Sequence, residues 1–238
     1  RANGSVAVAN VSFDLRAGEI LAVAGVDGNG QSELVQCLAG LLAPDAGCVR
    51  MDTLNSDTAS WTPAALRQAG LAHVPDDRRG QGIAEALGLT DNMIVSHLMS
   101  ARFRRGPLLN RNAARTATED AITDYAIRTT GPEQSIGRLS GGNQQKLVLA
   151  RELLGNPKVV LAAHPSRGLD VRTIALVQGR LRAARDRGAA VLLVSADLGE
   201  IWRLADRVMV FAAGAQRGPV RLVETDRARI GAWMAGHS

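Results

Sequence analysis

The chain predicts an α/β fold: a mostly parallel β-sheet flanked by helices, with an all-helical insert and an N-terminal antiparallel β element. Three observations carry this. Short apolar runs alternate with helix-period segments over most of the 238 residues, the order that strands and crossover helices produce. Between Thr90 and Gly155 the alternation stops, and helix patterns follow one another. With 46% apolar residues the chain can bury a full core, as one large or two small domains.

Taken in order, strands are expected at Val6 to Leu15, which supplies the N-terminal antiparallel element, then at Glu19 to Ala24, Leu71 to Val74, Val159 to Ala163, Ala190 to Ser195, Arg207 to Phe211 and Val220 to Glu224. Helices are expected at Gln31 to Leu41, Val171 to Arg187 and Leu198 to Leu204. In the second of these, Val171, Ile174, Val177, Leu181 and Ala184 recur at three- and four-residue steps and form one apolar stripe, the pattern of a core-facing helix. Within the insert, "TDNMIVSHLMSARFRR", "NAARTATEDAITDYAIR" and "SGGNQQKLVLARELLG" each read as a helix, separated by Gly106-Pro107 and Gly131-Pro132. The expected organisation is a core formed by 1–87 and 156–238, with a helical subdomain over 88–155. No internal repeat or low-complexity segment interrupts it.

Composition narrows the function. The net charge of +5 and pI near 10.2 invite a nucleic-acid reading. The arginines are scattered, however, and aromatics at 3% offer no stacking platform, so solvated arginine-rich faces, biased toward an anionic membrane surface, are the preferred reading. Cys37 and Cys48 lack metal-ligand spacing and fit a reducing cytosol. The opening RANGSVAVAN has no apolar secretion core, and no apolar run reaches the ~18 residues of a membrane helix, so the chain is read as soluble.

The stretch "LAVAGVDGNGQSELVQCLAGL" resembles a phosphate-binding loop between strand and helix. In the pattern G-x-x-x-x-G-K-[ST], glycines let backbone N–H groups wrap phosphates, lysine reaches the outer phosphates, and the hydroxyl holds magnesium. Gly25, Gly30 and Ser32 keep the cradle, whereas Gln31 stands where the lysine belongs. Lys146 and Lys158 are the only lysines in the sequence, so no shifted register restores the charge. The candidate nucleotide contacts here are Gly25, Asp27, Gly28, Asn29, Gly30, Gln31, Ser32 and Glu33.

A second anion-binding helix start lies in "RLSGGNQQKLVLARELL", where Ser140 is a natural N-cap and two glycines permit close backbone approach. Together with the loop about a hundred residues before it, this segment resembles the signature motif of ATP-binding-cassette ATPases, in the form typical of the second cassette of simple-sugar and nucleoside importers. "HPSRGLDV" at 164–171 and "VPDDRRGQGI" at 74–83 resemble the Walker B/D-loop and Q-loop regions of the same group. The likeness spans nearly the whole chain and implies a fold of the P-loop NTPase type.

The resemblance also locates departures. Hydrolysing members end the Walker B strand with an aspartate that holds magnesium through water and a glutamate that polarises the attacking water; here Ala163 and His164 occupy those places. The switch histidine falls on Ala196, the Q-loop glutamine on Asp76, and the adenine-stacking aromatic has no counterpart in Arg1 to Ser5. Phosphoryl transfer depends on positioning and on electrostatic stabilisation by a cation, a metal and a water-orienting group. Unaided turnover at this loop is therefore not expected, although His164 is retained as a candidate base. Ser32 and Asp76 are the candidate magnesium ligands, which leaves Mg2+ weakly held or absent beside ATP.

The family further implies head-to-tail pairing of cassettes, with each ATP between one protomer's loop and the other's signature. Ser140, Gly141, Gly142 and Gln144 would face a nucleotide on a partner cassette, and Asp170 would couple the two sites. The expected function is the ATP-binding half of a membrane importer for simple sugars or nucleosides, at the cytoplasmic face of the cell membrane. Its expected partners are another cassette, a permease and, indirectly, a solute-binding protein, with no nucleic acid. The rival readings are a soluble ATPase of the same class acting on nucleic acid or ribosomes, and a nucleotide-free scaffold.

Overall fold

The computed structural model describes residues 8–51, 62–212 and 215–237. The chain divides into two compact units, one of Arg1–His73, Asn156–His164 and Leu181–Ser238, the other of Val74–Gly155 and Pro165–Arg180.

The first unit is organised by β1 (Ile20–Ala24), all five of whose residues are buried. A run apolar on both faces can only be a central strand, and β1 lies between two parallel neighbours. In the six-stranded order β2-β5-β6-β1-β7-β8, the others are β2 (Leu71–Val74), β5 (Val159–Ala163), β6 (Ala190–Ser195), β7 (Arg207–Ala212) and β8 (Ala215–Arg221). The pairs β5·β6, β6·β1 and β1·β7 are parallel, and β8 runs antiparallel to β7. Register aligns Ala24 with Ser195 and with Val210, and Ala163 with Val194, so the carboxyl ends of these strands form one edge. Open parallel sheets bind ligands outside that edge. Leu21, Val23, Val35, Leu161, Leu192, Val194, Met209 and Phe211 fill the core on one side, and Ile201, Val208, Val210 and Ile230 form a second cluster.

Most expected elements stand where the sequence put them. The strand expected at Val6 to Leu15 falls partly on residues outside those described. Its described part belongs to no named strand, yet Val11, Phe13 and Leu15 turn toward the core while Ser12 and Asp14 face outward, the alternation of a β element. The region Arg1 to Ser5, where an adenine-stacking aromatic was sought, also lies outside the described residues. The helix expected to reach Leu41 ends at Leu38 (α1, Gln31–Leu38). Gly40, at φ 71°, closes it by donating to Cys37 O, while Leu41 N bonds to Gln36 O at 2.8 Å, a Schellman stop. The strand expected at Val220 to Glu224 is corrected: β8 ends at Arg221, opposite Arg207, the first residue of β7, and Leu222–Glu224 form a 3₁₀ turn.

The second unit is mostly helical: α3 (Leu89–Ile94), α4 (Arg111–Asp124), α5 (Gly141–Glu152) and the first part of α6 (Val171–Asp186), numbered after α2 (Pro63–Gln68) of the first unit. Ile94, Phe103, Ala114 and Ala117 pack together in it. The insert also contains a short hairpin, β3 (Arg104–Arg105) against β4 (Leu108–Leu109), turned by Gly106 at φ 61° and Pro107. The single helix expected across 90–105 breaks after Ile94. Side chains there bond outside the helix: Ser96 Oγ donates to Glu152 and His97 Nε2 meets Arg151 O at 2.7 Å. Such bonds compete with helix continuation. Among the described residues, no helix is long and apolar enough to cross a membrane.

Candidate nucleotide-binding site

The loop between β1 and α1 is shaped by glycine. A Cβ on Gly25 would stand 2.0 Å from Gln31 Nε2 and 2.6 Å from Phe211 O, so only glycine fits. Gly28 and Gly30 hold φ values of 90° and 102°, the left-handed region that glycine enters without strain. Gly30 is the N-cap of α1 and accepts from Leu34 N at 2.9 Å. A turn of this shape leading into a helix start presents backbone donors to an anion.

Gln31 does not reach outward. It is 4% exposed, and its Nε2 donates back to Val26 O at 3.3 Å, which also receives Asn29 Nδ2 at 2.9 Å. The residue in the lysine position thus braces the loop from within. Ser32 is exposed on the first turn, and Glu33 lies in the same turn.

At the carboxyl end of β5, Ala163 is buried and His164 turns the chain at φ 44°, its N–H bonded to Val194 O at 2.9 Å. A left-handed non-glycine residue is uncommon and marks a constrained position. The His164 ring lies 3.9 Å from Asp27 Oδ1, an ion pair only when the ring is protonated. Beyond β6, Ala196 is exposed, and Ser195 Oγ donates to the buried Glu200 while accepting from Asp197 N.

The loop offers backbone N–H groups of the kind that bind phosphate, and Ser32 offers a hydroxyl on the first turn of α1. Among the described residues, no group of three or more His, Cys, Asp or Glu could hold a metal ion. In the first unit β5 ends in the apolar Ala163; in the second, Asp76 is engaged with Arg167 at 3.9 Å.

In the second unit, Ser140 caps α5 with extended backbone, and its Oγ accepts from Asn143 Nδ2 at 3.0 Å. Gly142 packs against α6, where a Cβ would meet Thr173 Oγ1 at 3.3 Å and Asp170 Oδ2 at 3.5 Å. Asp170 itself caps α6, accepting from Arg172 N and Thr173 N at 3.0 Å and from Thr173 Oγ1 at 2.7 Å. Those bonds, led by the Thr173 hydroxyl, hold its carboxyl below the usual carboxylate range. Gln144 is buried, with Nε2 on Ile136 O and Oε1 receiving Arg78 Nε, both at 3.2 Å. It supports the motif from behind rather than facing outward. Asn143 was missed by sequence reasoning: its Oδ1 accepts from Arg128 N at 3.0 Å, tying the motif to the preceding loop. Its place inside "SGGNQ", directly after the glycines, was the available signal.

A strand-turn-helix phosphate cradle on a parallel sheet, together with a glycine-started signature helix, defines a nucleotide-binding cassette. The family profile "ABC transporter" matches residues 8–167, and the chain belongs to the ABC transporter ATPase family. The chain is 36% identical over 98% of its length to the nucleoside import ATP-binding protein NupA of Lactococcus lactis, and 37% identical over 98% to the guanosine import ATP-binding protein NupO of Bacillus subtilis. It is 35% identical over 98% to the glucose import ATP-binding protein TsgD13 of Haloferax volcanii. It spans about half the length of these relatives, 46%, 45% and 42% respectively. The fold matches that of the ATP-binding cassette MJ0796, described as a dimeric post-hydrolysis state bound to ADP and Pi, with TM-score 0.74 and 21% identity over 90% of this chain and 91% of that one.

Proposed function

We propose that this chain is the second cassette of an importer ATP-binding protein for nucleosides or simple sugars, and that its two motifs divide the work. Its own loop holds a nucleotide through backbone N–H groups but does not turn it over. Its signature segment, Ser140 to Gly142 within the helical region 88–155, completes the ATP site of a partner cassette, and Asp170 transmits closure between the two sites. A permease at the cytoplasmic face of the membrane, served by a solute-binding protein, would be driven by that closure.

The observation that carries this reading is an asymmetry. Gln31 is folded inward and β5 ends in Ala163, followed by His164, whereas the signature helix starts in two glycines after an extended Ser140. ATP hydrolysis needs charge stabilisation and an oriented water; the first site lacks the side chains for both, and the second presents helix N–H donors. The half-length match to the relatives supports a tandem arrangement.

Gly142→Asp tests it. The carboxylate would stand at the helix start that must approach a γ-phosphate, close to the Asp170 carboxylate, which repels it. ATP turnover by the assembled transporter should vanish, while nucleotide affinity at this chain's own loop stays nearly unchanged. Wild-type turnover by the mutant complex would refute the division of work.

A further inference from the structure

The segment 76–79, Asp-Asp-Arg-Arg, has the look of a solvated charge run, but its four charges are unequally satisfied. Asp76 pairs with Arg167 at 3.9 Å, and Arg79 with Glu85 at 3.4 Å. Asp77 turns its carboxylate to Gly80 N at 2.9 Å, capping the π-type turn Arg78–Gly82. Arg78 has only a neutral partner: its Nε donates to Gln144 Oε1, and among the described residues no carboxylate lies within ion-pair distance of it.

The guanidinium is nevertheless held firmly. Gln144 is 1% exposed and anchored through its own Nε2 to Ile136 O, so the bond to Arg78 Nε sets the plane of the fork. One terminal nitrogen lies 2.8 Å from where a Cβ on Gly141 would be, which places the fork against the first residue of α5. A glycine there is what allows the approach.

This is an unfavourable address for a lone cation. Helix N-termini carry partial positive charge and favour anions. Burial pulls the Arg78 pKa below its ordinary value, and the neighbouring Arg79 adds to this against the opposing Asp77. An anion at the helix start relieves both penalties, and an arginine fork is the side chain best suited to bind phosphate oxygens.

We propose that Arg78 contacts the terminal phosphate of the nucleotide that the signature helix meets, a cation that this chain supplies to a partner cassette's site. The inference rests on the reading that Ser140 to Gly142 complete that site. Arg78 then does for the partner what the helix amides do alone less well: it offsets the charge that spreads over the phosphoryl oxygens as the leaving oxygen departs. The fixed fork needs no reorganisation at that moment.

The test uses the assembled transporter with ATP and with orthovanadate, which mimics the transferring phosphoryl group. Arg78→Gln should lower kcat on the order of 10²-fold, the usual loss for one preorganised donor. KM should move little, and vanadate inhibition should weaken by a similar factor. Arg78→Lys, which keeps charge but not the fork, should fall between. Gly141→Ala, which pushes the guanidinium aside without removing it, should weaken vanadate inhibition as well. Were Arg78 only a strut for Gln144, Arg78→Gln would lower the melting temperature and leave vanadate inhibition as in the wild type, and that result overturns the proposal. Should Arg78→Gln fail to fold, wild-type vanadate inhibition in both Arg78→Lys and Gly141→Ala overturns it equally. Gly142→Asp separates the layers. If it retains turnover, the parent reading falls; if it abolishes turnover while the Arg78 variants behave as wild type, only the role of Arg78 falls.

Discussion

Replacing Gln31 by lysine should tighten nucleotide binding at residues 25–32 without creating turnover. The substitution removes the Gln31 Nε2 bond to Val26 O, a long neutral contact of 3.3 Å in a turn that Asn29 also braces at 2.9 Å. A neutral bond of this kind contributes about 0.5–1.5 kcal/mol, and a charge-assisted bond to phosphate about 1.5–3 kcal/mol. Taking the middle of each range, the net gain is about 1.2 kcal/mol, or roughly eightfold in affinity. Chemistry does not follow, because β5 still ends in Ala163 and His164. Two missing groups at ~10²–10³ each leave the rate ~10⁴–10⁶ below that of a complete site, if their effects are independent. Calorimetric titration of the purified chain with ATP, with and without magnesium, should show the tighter binding and only a weak metal dependence in both forms. A phosphate-release assay should stay at background. Robust magnesium-dependent release by Gln31→Lys, or an affinity identical to wild type, would refute the reasoning.

Three other substitutions have defined outcomes. Gly25→Ala drives a methyl into Gln31 Nε2 and Phe211 O, an overpacking cost of about 1–3 kcal/mol read by denaturant titration; adding Gln31→Ala should recover only part, since the backbone carbonyl remains. Glu152→Ala removes the partner of Arg151 in a pair whose side chains are 5% and 0% exposed, which should cost about 3–5 kcal/mol in urea unfolding, with melting of the second unit as the readout. Asp170→Asn should flatten the acid limb of the stability curve. Because Thr173 depresses the folded pKa of Asp170, its contribution is present above the ordinary value of 3.8 and is lost as pH falls through the lower folded value. Thermal melts across that acid range should show the wild type losing more than the mutant.

The sheet was readable in the sequence because it is buried on both faces. Runs such as "ILAVA" and "AVLLVS" are apolar at every position, and no helical or exposed assignment accommodates that. Places where the sequence misled are those where one tertiary bond decides. Gly40 signalled the end of α1, yet the apolar pair Leu41 and Leu42 continued the helix pattern past it. The residues of "VRLVE" have strand propensity, but the length of β7 fixes where pairing stops, and that lies in another segment of the chain. The candidate loop was legible in its glycines and in the missing lysine. Where the Gln31 amide goes was not, because nothing local distinguishes a side chain that reaches out from one that folds back. Arg78 was hidden for a similar reason: in "DDRR" nothing local sets one arginine or one aspartate apart from the other, and only their distant partners, Arg167, Glu85 and Gln144, do so.

The inward brace of the loop has a consequence for how such a sequence can change over time. With Asn29 and Gln31 both bonded to Val26 O, the turn is braced by side chains of its own. Substitution at the positions around it need not unfold the loop, since both bonds lie within the turn. Ala163 is a small buried residue closing a strand, and His164 a tight turn tied to Val194, so neither position relies on a charged side chain for its place in the fold. Neutral change of that sort would run only as far as the signature helix, where Gly141 and Gly142 each have a neighbour's side chain within 3.5 Å of the Cβ they lack.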